Sequence, residues 1–156
     1  MHDESGGSSP SHRAFDPGRF GWAGVDTRVY KAGEGPWRDV TRQVLFQPQG
    51  DLPVEWRYFE VAPDGWSTLE RHEHQHAVMI LRGEGRALVD GEVRTLGTLD
   101  LVRIPPMTWH QFRAGPAAPL GFLCLVAADR DRPQLPSDED LAELRRDSAI
   151  ADFIRP

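Results

Sequence analysis

Between residues 54 and 128 the apolar runs are short and closely punctuated. Val54 to Val61 stops at Pro63-Asp64-Gly65, Ala77 to Leu81 stops at Gly83 and Gly85, and Leu99 to Ile104 stops at Pro105-Pro106. Runs this short cannot sustain helices of several turns, but they suit strands. Arg86 to Asp90 and Glu92 to Leu96 flank Asp90-Gly91, the pair favoured in a type I′ turn because both central residues need positive φ. Gln111 to Arg113 and Leu120 to Ala128 complete a series spaced at roughly ten residues, which predicts an all-β sandwich or barrel.

The flanks read differently. Residues 1–19 are rich in Gly, Ser, His and Pro and are expected to form a disordered tail. From Val25 to Phe46 only short strand-like pieces appear, Thr27 to Tyr30 and Val40 to Phe46, broken by Gly33, Gly35 and Pro36. The division expected is a tail over 1–19, a barrel domain over 20–130 and a helical tail over 131–156. In that last segment Ser137 is placed to cap a helix, with Asp140 three residues on and Leu141 and Leu144 on one face. Ala149 to Ile154 continues it after a break.

Composition narrows the partners. A formal charge of -6 argues against nucleic acid, whose phosphates need clustered Lys and Arg. The single cysteine, Cys124, excludes an internal disulfide and fits a reducing cytoplasm. The apolar stretch Leu120 to Ala128 is too short to span a bilayer, so no membrane role is expected.

His72, His74 and His76 alternate along five residues, and His110 stands alone after the two prolines. Neutral imidazole is the commonest protein ligand for transition metals, so this density reads first as a metal site. On a regular strand, residues i and i+2 lie roughly 6.6 Å apart and residues i and i+4 roughly 13 Å apart. His72 and His76 can therefore share an ion only if the chain bends between them, with His74 at the bend, as a ligand or turned away. The same stretch, His72-Glu73-His74-Gln75-His76, also matches H-E-x-x-H. That motif needs a helix of several turns, and Gly83, Gly85 and the Asp90-Gly91 hairpin follow too soon.

The stretch from Gly65 to Ala114 resembles the cupin superfamily of small β-barrels. The family's first motif runs Gly, His-x-His, Glu, then Gly seven residues after that Glu. Gly83 sets the register, so His76 takes the Glu position, His72 the second histidine and Glu70 the first. In the second motif Asp100, Pro105 and His110 match, whereas Leu99 and Met107 stand where the family has glycines and Ala114 replaces its Asn. The resemblance implies a double-stranded β-helix, or jelly-roll, with a short C-terminal helical tail. It implies one divalent transition metal (Fe, Mn, Ni, Cu or Zn) on His72, His76 and His110, with Glu70 or His74 as fourth ligand. It also implies a homodimer, toward which the surplus rings Trp22, Trp37, Phe46, Trp56 and Trp66 point.

Parity along the strands places Val78, Ile80 and Phe112 beside the metal, with Tyr58 and Trp109 as aromatic walls of a small-molecule pocket. Arg57, Arg103 and Arg113 are candidates for an anionic substrate. Cys124 reads as a small buried residue rather than a nucleophile. A metal with open positions in an apolar pocket suits an enzyme on a small organic molecule, with Glu70 as its catalytic carboxylate. Dioxygenase-like chemistry is expected first, then isomerase or lyase chemistry, with a non-catalytic binding or sensor barrel as the competing class.

Overall fold

The computed structural model describes residues 10–30 and 35–156. Its strands are β1 (Phe15–Asp16), β2 (Gly21–Trp22), β3 (Arg28–Val29), β4 (Arg38–Phe46), β5 (Val54–Trp66), β6 (His76–Arg82), β7 (Gly85–Val89), β8 (Glu92–Leu96), β9 (Leu101–Ile104), β10 (Gln111–Ala114) and β11 (Leu120–Ala127). Two short helices follow, α1 (Asp138–Leu144) and α2 (Ser148–Phe153). All strand pairs are antiparallel. One curved face runs β3-β4-β5-β11-β6-β9 and the other β8-β7-β10. The expected jelly-roll is the architecture found.

The far end of β5 joins the two faces. Through Val61 it pairs with β4 and β11, and at Trp66 it pairs with Arg113 of β10. Pro63-Asp64-Gly65, read from sequence as a strand-ending turn, is instead a bend within one long strand. Asp64 takes φ 62° and its N–H donates to the Gly115 carbonyl, so the chain turns the barrel corner without leaving the sheet. Asp90 and Gly91 both have positive φ, as the hairpin signal requires. Gly83, the residue that sets the motif register, has φ 78°. A Cβ there would lie 1.8 Å from the Pro119 carbonyl oxygen, so only glycine closes this turn.

Inward residues of both faces form the main core, including Val40, Phe59, Val61, Val78, Ile80, Ile104, Leu120 and Phe122. Of residues 1–19, the first nine lie outside the described residues. Within the remainder, Phe15–Asp16 pairs with Gly21–Trp22, and Phe20 and Trp22 pack with Val25, Leu45 and Tyr58 on the outer face of the large sheet. This segment carries enough aromatic surface to dock, which its polar composition conceals. At the other side Ile150, Phe153 and Ile154 pack against Leu69 and Leu88. The α2 end is tied down by the fully buried Gln111, whose amide nitrogen donates to the Ser67 and Arg155 carbonyls while its oxygen accepts from the Arg155 N–H. No helix among the described residues is long and apolar enough to cross a membrane.

Candidate metal centre and cavity

Four local devices gather the histidines. After β5 the chain runs as an irregular edge in which Glu70 and His110 exchange two backbone hydrogen bonds, 3.2 and 3.0 Å, setting their side chains opposite one another. The Met107 N–H donates to the His72 carbonyl at 2.7 Å, fixing His72 against the loop that leads to His110. The chain then bends at Glu73 and His74 before β6 begins at His76, as shared use of one ion by His72 and His76 requires. No helix forms here, so the H-E-x-x-H reading falls. The fourth device is Asp131, beyond β11. Its carboxylate accepts from the Glu73 and His74 N–H groups at 2.8 and 3.0 Å and pairs with His74 Nδ1 at 2.7 Å.

The rings are close. His72 stacks on His74 at 3.7 Å and on His76 at 4.6 Å between centroids, and meets His110 edge-on at 4.8 Å. Donor atoms of His72, His74 and His76 all lie within 4.8 Å of one another, and so do those of Glu70, His72 and His110. The structure thus places both Glu70 and His74 beside His72. Nδ1 of His72 pairs with the His74 carbonyl at 2.6 Å, and Nδ1 of His110 with the Thr108 carbonyl at 2.9 Å. Each carbonyl can only accept, so each Nδ1 carries the proton and each Nε2 carries a lone pair. The buried Nε2 atoms of His72 and His76 have no hydrogen-bond partner. Burial lowers the pKa of His72 and His76 and brings His110 down to about 4, with neighbouring imidazoles adding to the effect. Neutral rings with buried, unshared lone pairs and an adjacent carboxylate fit a divalent metal.

A cavity of ≈ 110 Å³ opens beside this cluster, lined by Glu70, His74, His76 and His110 and by Phe59, Phe112 and Phe122 on its apolar side. Phe112 is where parity puts it. Val78 and Ile80 sit in the core rather than on the cavity wall. Tyr58 does not reach the cavity: Arg57 and Phe59 take the inward parity of β5, so Tyr58 points outward and donates to Glu60 at 2.8 Å. Trp109 also lies elsewhere, under the Arg71 guanidinium and against the α2 cluster. Of the three candidate arginines only Arg57 lines this cavity; Arg103 borders a different one, and Arg113 donates to the Phe153 carbonyl. The wall also holds Cys124, Arg130, Asp131 and Pro133. Cys124 Sγ is 3.2 Å from His76 Nδ1 and 3.4 Å from Arg57 Nη2. Burial pushes its thiol pKa up, and the Arg57 cation pulls against that.

Residues 57–126 match the cupin domain model. Over 94% of its length the chain is 54% identical to the 1-methylthio-D-xylulose 5-phosphate methylsulfurylase of Rhodospirillum rubrum, covering 95% of that protein. The chain belongs to the cupin family. A cupin 2 conserved barrel domain protein from Rhodopseudomonas palustris superposes with a TM-score of 0.87 at 58% identity, over 94% of this cupin and 100% of the other chain. A cupin-2 domain from Rhodospirillum rubrum gives 0.81 at 55% identity, over 86% and 90%. The relative's activity overturns the dioxygenase-like reading. With a methylsulfurylase this similar along nearly the whole cupin, neither oxygen chemistry nor the isomerase, lyase and sensor alternatives stand. The error has a physical source: a histidine-rich centre is compatible with many chemistries.

Proposed function

We propose that this cupin is an enzyme that removes the methylthio group from a 1-methylthio ketose 5-phosphate, with 1-methylthio-D-xylulose 5-phosphate as the substrate suggested by its relative. The observation that carries the reading is the placement of the chain's one thiol in the same cavity as the histidine cluster. Moving a methylthio group off carbon requires a sulfur acceptor, and Cys124 is the acceptor at hand. Its sulfur attacks the methylthio sulfur, forming an S–S bond. The bond from that sulfur to C1 breaks, and its electron pair passes to C1, where the adjacent carbonyl delocalises it. A proton then reaches C1, leaving a 1-deoxy ketose phosphate and a methyl disulfide on Cys124. A second thiol, taken from solution, attacks that disulfide, carries off the methylthio group and restores Cys124.

The metal reading rests on the buried Nε2 lone pairs. His72, His76 and His110 would hold one divalent metal. His74 is the fourth ligand because Asp131 holds its Nδ1 and leaves Nε2 for the ion, a carboxylate–histidine pairing common behind metal ligands. The metal would supply Lewis-acid stabilisation of negative charge on a carbonyl oxygen. With His76 Nε2 so used, its Nδ1–H points at Cys124 Sγ, and Arg57 Nη2 donates to the same atom. Two donors thus offset part of the burial that keeps the thiol protonated and hold the sulfur in place. Phe59, Phe112 and Phe122 exclude water, and Glu70, on the cavity wall with His110, is the carboxylate that handles a proton. We also infer a cytoplasmic homodimer, since sugar phosphates are soluble anionic metabolites and the outer sheet face remains partly uncovered.

The test is direct. Protein purified without chelators is given 1-methylthio-D-xylulose 5-phosphate, first without and then with a small thiol. Without the thiol, mass spectrometry should find a methylthio adduct on Cys124; with it, the 1-deoxy sugar phosphate should accumulate. Cys124→Ser should form neither. Turnover by Cys124→Ser at the wild-type rate would refute the role given to the thiol.

A further inference from the structure

A sugar phosphate brings a dianion, and two guanidinium groups line the cavity. Arg57 has a side chain only 9% exposed, yet its contacts are weak. Its Nε lies 3.6 Å from the Glu55 carboxylate and has no hydrogen-bond partner among the described residues, and its Nη2 donates to the Cys124 sulfur. Arg130, three residues past β11, donates through Nη1 to the Ala127 carbonyl at 2.9 Å, and its Nη2 reaches the same Glu55 oxygen at 3.4 Å. Two cations therefore share one carboxylate, and one of them is buried with an unsatisfied N–H. A buried cation is costly unless it is paired and hydrogen-bonded. Of the other acids of the wall, Asp131 is held on His74, and Glu70 sits at the histidine end, where its backbone pairs with that of His110. The Glu55 carboxylate is thus divided between two guanidinium groups and leaves the Arg57 Nε without a hydrogen bond.

We propose that Arg57 and Arg130 form the phosphate subsite of this cavity, receiving the terminal phosphate of a ketose 5-phosphate whose carbonyl end faces the histidines. The proposal rests on the sugar-phosphate reading above. Guanidinium forks match phosphate oxygens with paired, charge-assisted hydrogen bonds, which accounts for arginine rather than lysine at both positions. Arg57 then serves both ends of the substrate, one N–H at the thiol sulfur and the others at the phosphate. A five-carbon chain is long enough to bend over the cavity floor between them.

Calorimetric titration with D-xylulose 5-phosphate and with D-xylulose tests this without turnover, since neither carries a methylthio group. The wild-type protein should bind the phosphorylated sugar at least about tenfold more tightly. Arg130→Gln should erode that preference about fivefold, leaving D-xylulose binding unchanged, and Arg57→Lys should erode it about tenfold. Arg57→Lys keeps a cation beside Glu55, and its thermal melt reports whether the fold is intact. Arg130 is partly exposed, so Arg130→Gln decides the matter alone if Arg57→Lys does not fold. An unchanged preference in the folded variants, or no preference in the wild type, overturns the subsite. An arginine-dependent preference without conversion of the methylthio sugar leaves the subsite standing and the proposed reaction refuted. Conversion with unaltered KM in both variants does the reverse.

Discussion

Asp131 shows how one side chain can organise a site from a distance. It reaches back across the chain to hold two amides and one imidazole. Its carboxyl is held well below the usual range, chiefly by the Glu73 N–H with further help from His74. Asp131→Ala should weaken metal binding by about 10- to 100-fold, the usual cost of losing a carboxylate behind a histidine ligand, as read by competition with a chelating dye. Equal affinity in the variant would remove His74 from the ligand set. The rings also set a pH limit on the metal-free protein. Histidines of the unfolded chain take up protons near pH 6.5, whereas the folded rings resist, His110 down to about 4. Below pH 6.5 the unfolded state therefore binds more protons, so stability is complete above that pH and declines as pH falls toward 4. The urea midpoint of metal-free protein should be lower at pH 5 than at pH 7.5. A flat profile would show that the rings already protonate in the folded state. Leu99 and Met107 occupy the motif's two glycine positions with φ of 73° and 54°. Leu99 is exposed, so Leu99→Gly relieves left-handed strain at little packing cost and should raise stability by under about 1 kcal/mol on thermal melting.

At the scale of elements, sequence periodicity and turn chemistry carry most of the fold. The Asp90-Gly91 hairpin, the run Ala77 to Leu81 and the Ser137–Asp140 capping box lie where local rules place them, because each depends on neighbours within a few residues. The gathering of His72, His76 and His110 is legible for the same reason: alternation and the Gly83 register are local signals. What escapes the sequence is whatever depends on distant partners. Nothing around residue 131 announces that its carboxylate meets His74. Cys124 meets His76 and Arg57 only because β11 passes between β6 and β5. Tyr58 is misplaced because strand parity is clear while the choice of buried face is not, both faces of β5 being covered. The docking of α2 is likewise tertiary. Phe153 is fully buried against Leu69 and Leu88, and Phe153→Ala should cost about 3–5 kcal/mol in urea unfolding, far more than a free helical tail would lose.

For the whole molecule, the large sheet's outer face is divided. The segment carrying Phe20, Trp22 and Val25 covers Leu45, Tyr58 and Leu123, but beside it Trp56, Ala77, Met79, Leu101 and Leu125 line a shallow apolar depression open to solvent. Among the rings expected to be in surplus, Trp22 is used by the chain's own segment and Trp66 lies under the Arg38 guanidinium, while Phe46 and Trp56 remain 40% exposed and meet edge-on at this open face. The residues lining the depression carry no charge, and an apolar sheet face can meet a copy of itself across a two-fold axis, the commonest symmetry of soluble oligomers. Light scattering at micromolar concentration should therefore return twice the chain mass. Met79 and Leu101 are register partners at the centre of the patch, and Leu101 is 74% exposed. Leu101→Lys should consequently leave the folded monomer's stability within about 0.5 kcal/mol while setting two like charges near each other across the axis. The variant should elute as a monomer with its metal content unchanged, since the histidines face the barrel interior. A wild-type protein that scatters as a monomer would sink the dimer, and a Leu101→Lys protein that remains dimeric would move the interface to another face.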